Sequence, residues 1–315
     1  MRLEHVWAAL LVFSLAPGCA YEAPPEFTEP QTLGGEVVSA EVLNQGQEAY
    51  SFYCVSCHGR NGDGRGLSAA DLSVPPRDFR VASFKFTSVV EGLPHDEDLA
   101  YLIRHGLAGT AMLPWEITDE NLHAIIQYIK TFSPPDEGWR DPEEEKGERV
   151  VAGENPWAGN EADAIKRGEA VFHGKASCNT CHPSFVTKAE VIKHRQEAAS
   201  GGAAGAAPVE LRAQSWLSVP QLTVQYTRPI AGDPECTNDE ACGKGNACRF
   251  GHCEEGLRIL PPDFTVNQIK NGTDLPRLFS ILSTGVPGTA MPVWKGTIPD
   301  KDIWALAHYV RSLAT

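Results

Sequence analysis

Twice in this chain a cysteine is followed three positions later by a second cysteine and at once by a histidine: Cys54-Val-Ser-Cys57-His58 and Cys178-Asn-Thr-Cys181-His182. With 9 Cys and 10 His in 315 residues, two such pentapeptides are hardly accidental. The spacing dictates the chemistry. Thiols at this separation add across the two vinyl groups of one porphyrin, and the adjacent imidazole lies on the same helical turn, where it reaches the iron from the proximal side. Two motifs therefore imply two covalently bound haem c groups, attached through Cys54, Cys57, Cys178 and Cys181, with His58 and His182 as iron ligands.

The methionines supply the opposite ligands. Apart from Met1 there are only two, Met112 in Gly-Thr-Ala-Met-Leu-Pro-Trp and Met291 in Gly-Thr-Ala-Met-Pro-Val-Trp. A core gap-filler has no reason to recur in one setting. The decapeptides at 106–115 and 285–294 instead mark an internal repeat with one unit per haem. A thioether is a soft, neutral ligand that iron accepts opposite histidine, and His/Met ligation raises the reduction potential.

On these motifs the chain resembles class I c-type cytochromes, in two copies that cover nearly everything from Gly46 to Leu313. The resemblance implies an all-α fold of two tandem cytochrome c domains. In the first, Gly46 to Tyr50 leads into the haem motif and 118–132 closes as an amphipathic helix. In the second, Gly168 to Phe172 leads in and 299–313 closes. A glycine four residues before an aromatic lets the terminal helices cross closely, with Tyr50 against Tyr128 and Phe172 against Tyr309. Helices at 96–105 and 274–284 precede the methionine loops and end at Gly106 and Gly285. In the family a proline carbonyl accepts the hydrogen bond of the proximal histidine. That points to Pro75 or Pro76 and to Pro261 or Pro262, with Arg77 as a partner for a haem propionate.

The units are unequal: 54 residues separate His58 from Met112, whereas 109 separate His182 from Met291. Two inserts account for most of the difference. The Ala/Gly run 196–208 reads as a loop. The other, 232–256, holds Cys236, Cys242, Cys248 and Cys253. Four cysteines could bind zinc, but haem c is attached outside the cytoplasm, where thiols oxidise, so disulfides are expected. They allow three pairings that sequence does not separate, of which Cys236 with Cys248 and Cys242 with Cys253 is preferred. The remaining histidines, among them His173 and His308, have no counterpart in the other unit and are read as polar-face residues rather than ligands.

Residues 1–19 read as targeting, with Arg2 followed by an apolar stretch from Val6 to Leu15 too short to span a bilayer. Cys19 resembles the lipid-modified residue of bacterial lipoproteins; Ala16 and Pro17 depart from the usual pattern, which leaves cleavage after Ala20 as the alternative. Residues 20–40 then form a tether, 41–135 the first cytochrome domain, 136–160 an acidic Pro-containing linker and 161–315 the second domain. The expected location is the periplasm, with a lipid anchor as the sole membrane attachment. A net charge of -14 disfavours nucleic acid and favours redox partners with a basic docking face. The function that follows is a di-haem electron carrier with no catalytic residues. The alternative is a di-haem enzyme or enzyme subunit of the peroxidase or thiosulfate-oxidising type, against which the matched methionine loops speak, since such an enzyme needs one iron that opens.

Overall fold

A computed structural model describes residues 24–199, 227–229, 234–244, 246–256 and 261–314. Cys19, the targeting stretch and residues 200–208 of the Ala/Gly run lie outside them. A short antiparallel hairpin, β1 (Gln31–Leu33) and β2 (Glu36–Val38), precedes helices α1 (Ala40–Tyr53), α2 (Val55–His58), α3 (Asp96–His105) and α4 (Asp119–Lys130). The second half contains α5 (Glu161–Ala170), a π-helical turn (Val171–Lys175) and α6 (Lys188–Ala199). It continues with a three-stranded sheet ordered β3 (Thr227–Pro229), β5 (His252–Gly256), β4 (Asn246–Arg249), and ends with α7 (Leu275–Thr284) and α8 (Asp300–Leu313). No helix among the described residues is long and apolar enough to cross a membrane.

Local chemistry sets the helix starts. Ser39, Thr118 and Asp274 each accept a backbone N–H three residues on, at 3.3 Å in every case, and so satisfy a donor the helix itself cannot. Each half is then organised by one crossing of helices. A Cβ on Gly46 would lie 2.1 Å from the Ala124 carbonyl oxygen, and one on Gly168 would lie 2.1 Å from that of Ala305, so only glycine lets α1 meet α4 and α5 meet α8 at this distance. The aromatic residues four positions later lock both crossings, with ring centroids 5.3 Å apart for Tyr50 and Tyr128 and 5.5 Å for Phe172 and Tyr309. Separate apolar cores form around these pairs, one including Leu99, Ile125 and Ile129, the other Phe279, Ile303 and Leu306.

Several expectations from sequence require correction. The fold is not purely helical: a hairpin and a small sheet are present. Within the 20–40 stretch expected to be a tether, the hairpin packs Leu33 and Val38 against Leu43, and Gly34 donates its N–H to the Trp139 carbonyl at 2.7 Å. The 136–160 stretch is no free spacer either. Trp139 is buried, Leu93 exchanges backbone bonds with Glu145 and Gly147, and Val150 donates to the Ser88 carbonyl. Its carboxylates at 143, 144, 145 and 148 stay exposed while its backbone is docked. Positions 196–199, assigned to the Ala/Gly loop, complete helix α6.

The cysteine-rich insert contains two disulfides, Cys236–Cys248 and Cys242–Cys253. With little core of its own, this segment takes its order from the bridges. It also reaches across to the first half. Glu254, almost fully buried, pairs with Arg65 at 2.8 Å, and the Arg80 guanidinium sits 3.9 Å from the Phe250 ring centroid. A second seam joins the halves beside α3 and α7. Arg277 stacks over Tyr101, the Thr284 hydroxyl donates to the Thr87 carbonyl, and Ala108 donates its N–H to the Lys270 carbonyl at 2.9 Å.

Candidate functional site

The first Cys-x-x-Cys-His run forms a turn directly after α1, and the second forms one just beyond the π-helical turn that follows α5. The His58 N–H bonds to the Cys54 carbonyl and the His182 N–H to the Cys178 carbonyl, both at 2.9 Å, which brings the two thiols and the imidazole of each motif close together. The four cysteines are free thiols and half-buried. Burial pushes the Cys54 and Cys178 thiols up to about 12, so both are protonated sulfurs at neutral pH.

The histidines are oriented from behind. His58 Nδ1 lies 3.1 Å from the Arg77 carbonyl oxygen, and His182 Nδ1 lies 3.0 Å from that of Pro262. A carbonyl only accepts, so Nδ1 carries the proton and the Nε2 lone pair is left for a metal. Pro262 is one of the expected acceptors; Pro75 and Pro76 are not, because in the first half the acceptor is Arg77. The discrepancy disappears when the repeats are aligned on their phenylalanines, since both acceptors lie two residues before Phe79 or Phe264. Those phenylalanines stack on the imidazoles, Phe79 on His58 at 4.4 Å and Phe264 on His182 at 4.8 Å. Desolvation lowers the His58 pKa to about 4 and lowers that of His182, keeping both rings in the neutral form that ligates.

The methionine loops repeat bond for bond. Thr110 accepts the Met112 N–H at 3.1 Å and donates its hydroxyl to the Leu107 carbonyl at 2.8 Å; Thr289 does the same for Met291 and Val286 at the same distances. Leu107 and Val286 return their N–H groups to the Met112 and Met291 carbonyls. The entry glycines hold φ of +64° and +70°, and a Cβ on either would run into the methionine carbonyl, which explains why glycine precedes both loops. Met112 packs against the first core and Met291 against the second.

This donor set fits a covalently attached haem: paired free thiols, a neutral imidazole with Nε2 outward, and a half-buried thioether on a rigid loop. Asn271, buried with both amide atoms lacking a partner among the described residues, is the kind of donor that a propionate would satisfy. The other buried histidines do not compete. His173, fully buried rather than on a polar face, bonds the Glu169 carbonyl through Nδ1 and accepts the Phe185 N–H at Nε2. His308, also buried, contacts Asn155 at 3.0 Å. Their burial depends on α6 and on the segment before α5, neither of which shows in the local sequence.

Residues 41–129 match the family model described as cytochrome C oxidase, cbb3-type, subunit III. Residues 41–129 thus make up a cytochrome c domain. No curated protein matches the chain. Among solved structures, a chain of the Kuenenia stuttgartiensis reducing HAO-like protein complex Kustc0457/Kustc0458 is similar in fold, with a TM-score of 0.55 and 23% identity, over 86% of this chain and 96% of that one.

Proposed function

We propose that this protein is a di-haem c-type electron carrier with two tandem cytochrome c domains, each holding one haem by two thioether bonds. His58 and Met112 would ligate the first iron, His182 and Met291 the second. Bound haem supplies one-electron exchange; the chain's own residues fix the ligands and keep water and small molecules from the metal. The observation that carries this reading is the repetition of the whole ligand support in both halves: the carbonyl on Nδ1, the phenylalanine on the imidazole, and the threonine that ties down the methionine amide. Two equally supported ligand pairs suit a protein whose irons stay six-coordinate, since neutral thioether ligation favours ferrous iron and high potential. The cysteine pairs in the insert agree with an exported protein, and Cys19 is the proposed lipid anchor.

A second reading, the cytochrome subunit of a larger redox assembly, is favoured by the likeness to a chain that belongs to a protein complex. The two differ in what the isolated protein does. Steady-state reduction and oxidation with peroxide, with thiosulfate and with a basic soluble cytochrome, each at low and high salt, tests the proposal. Salt-sensitive exchange with the cytochrome alone is expected; rapid saturable turnover of either small molecule would overturn it.

A further inference from the structure

The halves differ at one face. Counted from the crossing glycines, Phe52 in the first half corresponds to Gly174 in the second. Phe52 is 81% exposed at the end of α1, two residues before Cys54. It meets Tyr53 edge-to-face at 4.7 Å, and Tyr53 meets Trp115 edge-to-face at 5.6 Å. Trp115 lies three residues after Met112, and Leu113 beside it is 62% exposed. These four side chains therefore bridge the two segments that would hold the first haem, its thioether motif and its methionine loop, and they do so in contact with solvent. Single exposed apolar residues need no explanation; an aromatic run between two ligand segments does.

In the second half the chain itself covers the helix end of this face, while Pro292 and Val293 of the methionine loop stay exposed. Helix α6 lies across that end so tightly that a Cβ on Gly174 would be 2.5 Å from the His194 carbonyl oxygen. His194 also contacts Glu169 at 3.3 Å and stacks on the buried His173. The 63–80 loop of the first half is tied to the cysteine-rich insert through Arg65–Glu254 and Arg80–Phe250, though Leu67 and Val74 on it remain exposed. What sets the Phe52 face apart is that its aromatic contacts join the thioether motif to the methionine loop. Its rim is acidic: Glu48, one turn before Phe52 on α1, Glu116 and Glu120 are exposed, and the nearby Arg104 is neutralised by Asp119.

We propose that Phe52, Tyr53, Leu113 and Trp115 form the docking surface for a redox protein with an apolar centre and a basic rim, and that α6, by covering the position that corresponds to Phe52, denies the second domain the same aromatic anchor so that such partners engage the first. This rests on the carrier reading and names the surface through which it works. One electron crosses the interface, oxidising one protein and reducing the other, with no bond made or broken.

The probe is a basic soluble cytochrome, its binding to the holoprotein measured by calorimetry at low and high salt and its electron exchange by stopped flow. Phe52→Ser, at an exposed position, should weaken binding about tenfold at either salt, as loss of a central interface anchor does. Glu48→Lys with Glu116→Lys should weaken binding strongly at low salt and little at high salt. Val266→Ser, an equally exposed apolar site in the second domain, should leave binding unchanged. Undiminished binding by the first two variants, weakening by the third, or no binding of wild-type protein at low salt would overturn the docking surface. Binding that responds as expected without electron exchange would instead overturn the carrier reading.

Discussion

Replacing Gly46 by alanine separates two opposing effects at the helix crossing. Alanine is the better helix former by about 1 kcal/mol, so propensity alone makes the variant more stable. The added Cβ, however, would stand 2.1 Å from the Ala124 carbonyl oxygen and 2.8 Å from Tyr128 Cβ. Ordinary carbon contacts begin near 3.4 Å. The obstacle is helix backbone, which has no rotamer to change, so α1 must move more than an ångström away from α4. That movement loosens Tyr50 from Tyr128 and from Phe132, which it touches at 5.2 Å. Overpacking of a rigid core costs about 1–3 kcal/mol and sometimes more; with the aromatic contacts weakened as well, a net loss of roughly 2–4 kcal/mol is expected after the propensity gain. For a domain of this size that lowers the midpoint of thermal unfolding by roughly 10–20 °C. Thermal unfolding of the holoprotein followed by far-ultraviolet circular dichroism measures it, with Gly168→Ala as the matched test of the α5–α8 crossing. A variant as stable as wild type, or more so, would show that the helices part without penalty and refute the reasoning.

His173 makes stability fall in acid. Burial holds its pKa at about 4, below its ordinary 6.5, so the unfolded chain binds a proton that the folded chain refuses. Its contribution is complete above about pH 6.5, declines as pH drops, and levels off below about 4, a total of about 3 kcal/mol; denaturant unfolding of His173→Gln across that range should show a flatter acid limb than wild type. Reducing the insert's disulfides should raise hydrogen exchange in the 63–80 loop of the first domain as well as in the insert, because Glu254 and Phe250 hold Arg65 and Arg80; exchange confined to the second half would contradict that coupling.

The turns of the Cys-x-x-Cys-His runs, the methionine loops and the helix crossings were legible in the sequence because each rests on local spacing. Cysteines at i and i+3, a histidine next to them, and a glycine four residues before an aromatic are constraints within a turn or two. What escaped was long-range or carried by backbone. Arg77 accepts from His58 through its carbonyl, which every residue possesses, so only the distance to Phe79 could have singled it out. The hairpin at 31–38 closes against Trp139, about a hundred residues later in the chain. His173 is buried by a helix whose own pattern is weakly amphipathic, and the insert's contact with Arg65 joins positions with no shared sequence signal.

The central claim is that both irons carry methionine. The ferric spectrum of the purified protein tests it most directly, through the weak red band that methionine sulfur gives on ferric haem, measured in wild type, Met112→Ala and Met291→Ala at equal haem content. The account predicts that each substitution removes about half of the band, leaves the other half, and creates one high-spin haem per chain. A wild-type protein without the band, or a single substitution that abolishes all of it while the other removes none, would contradict it.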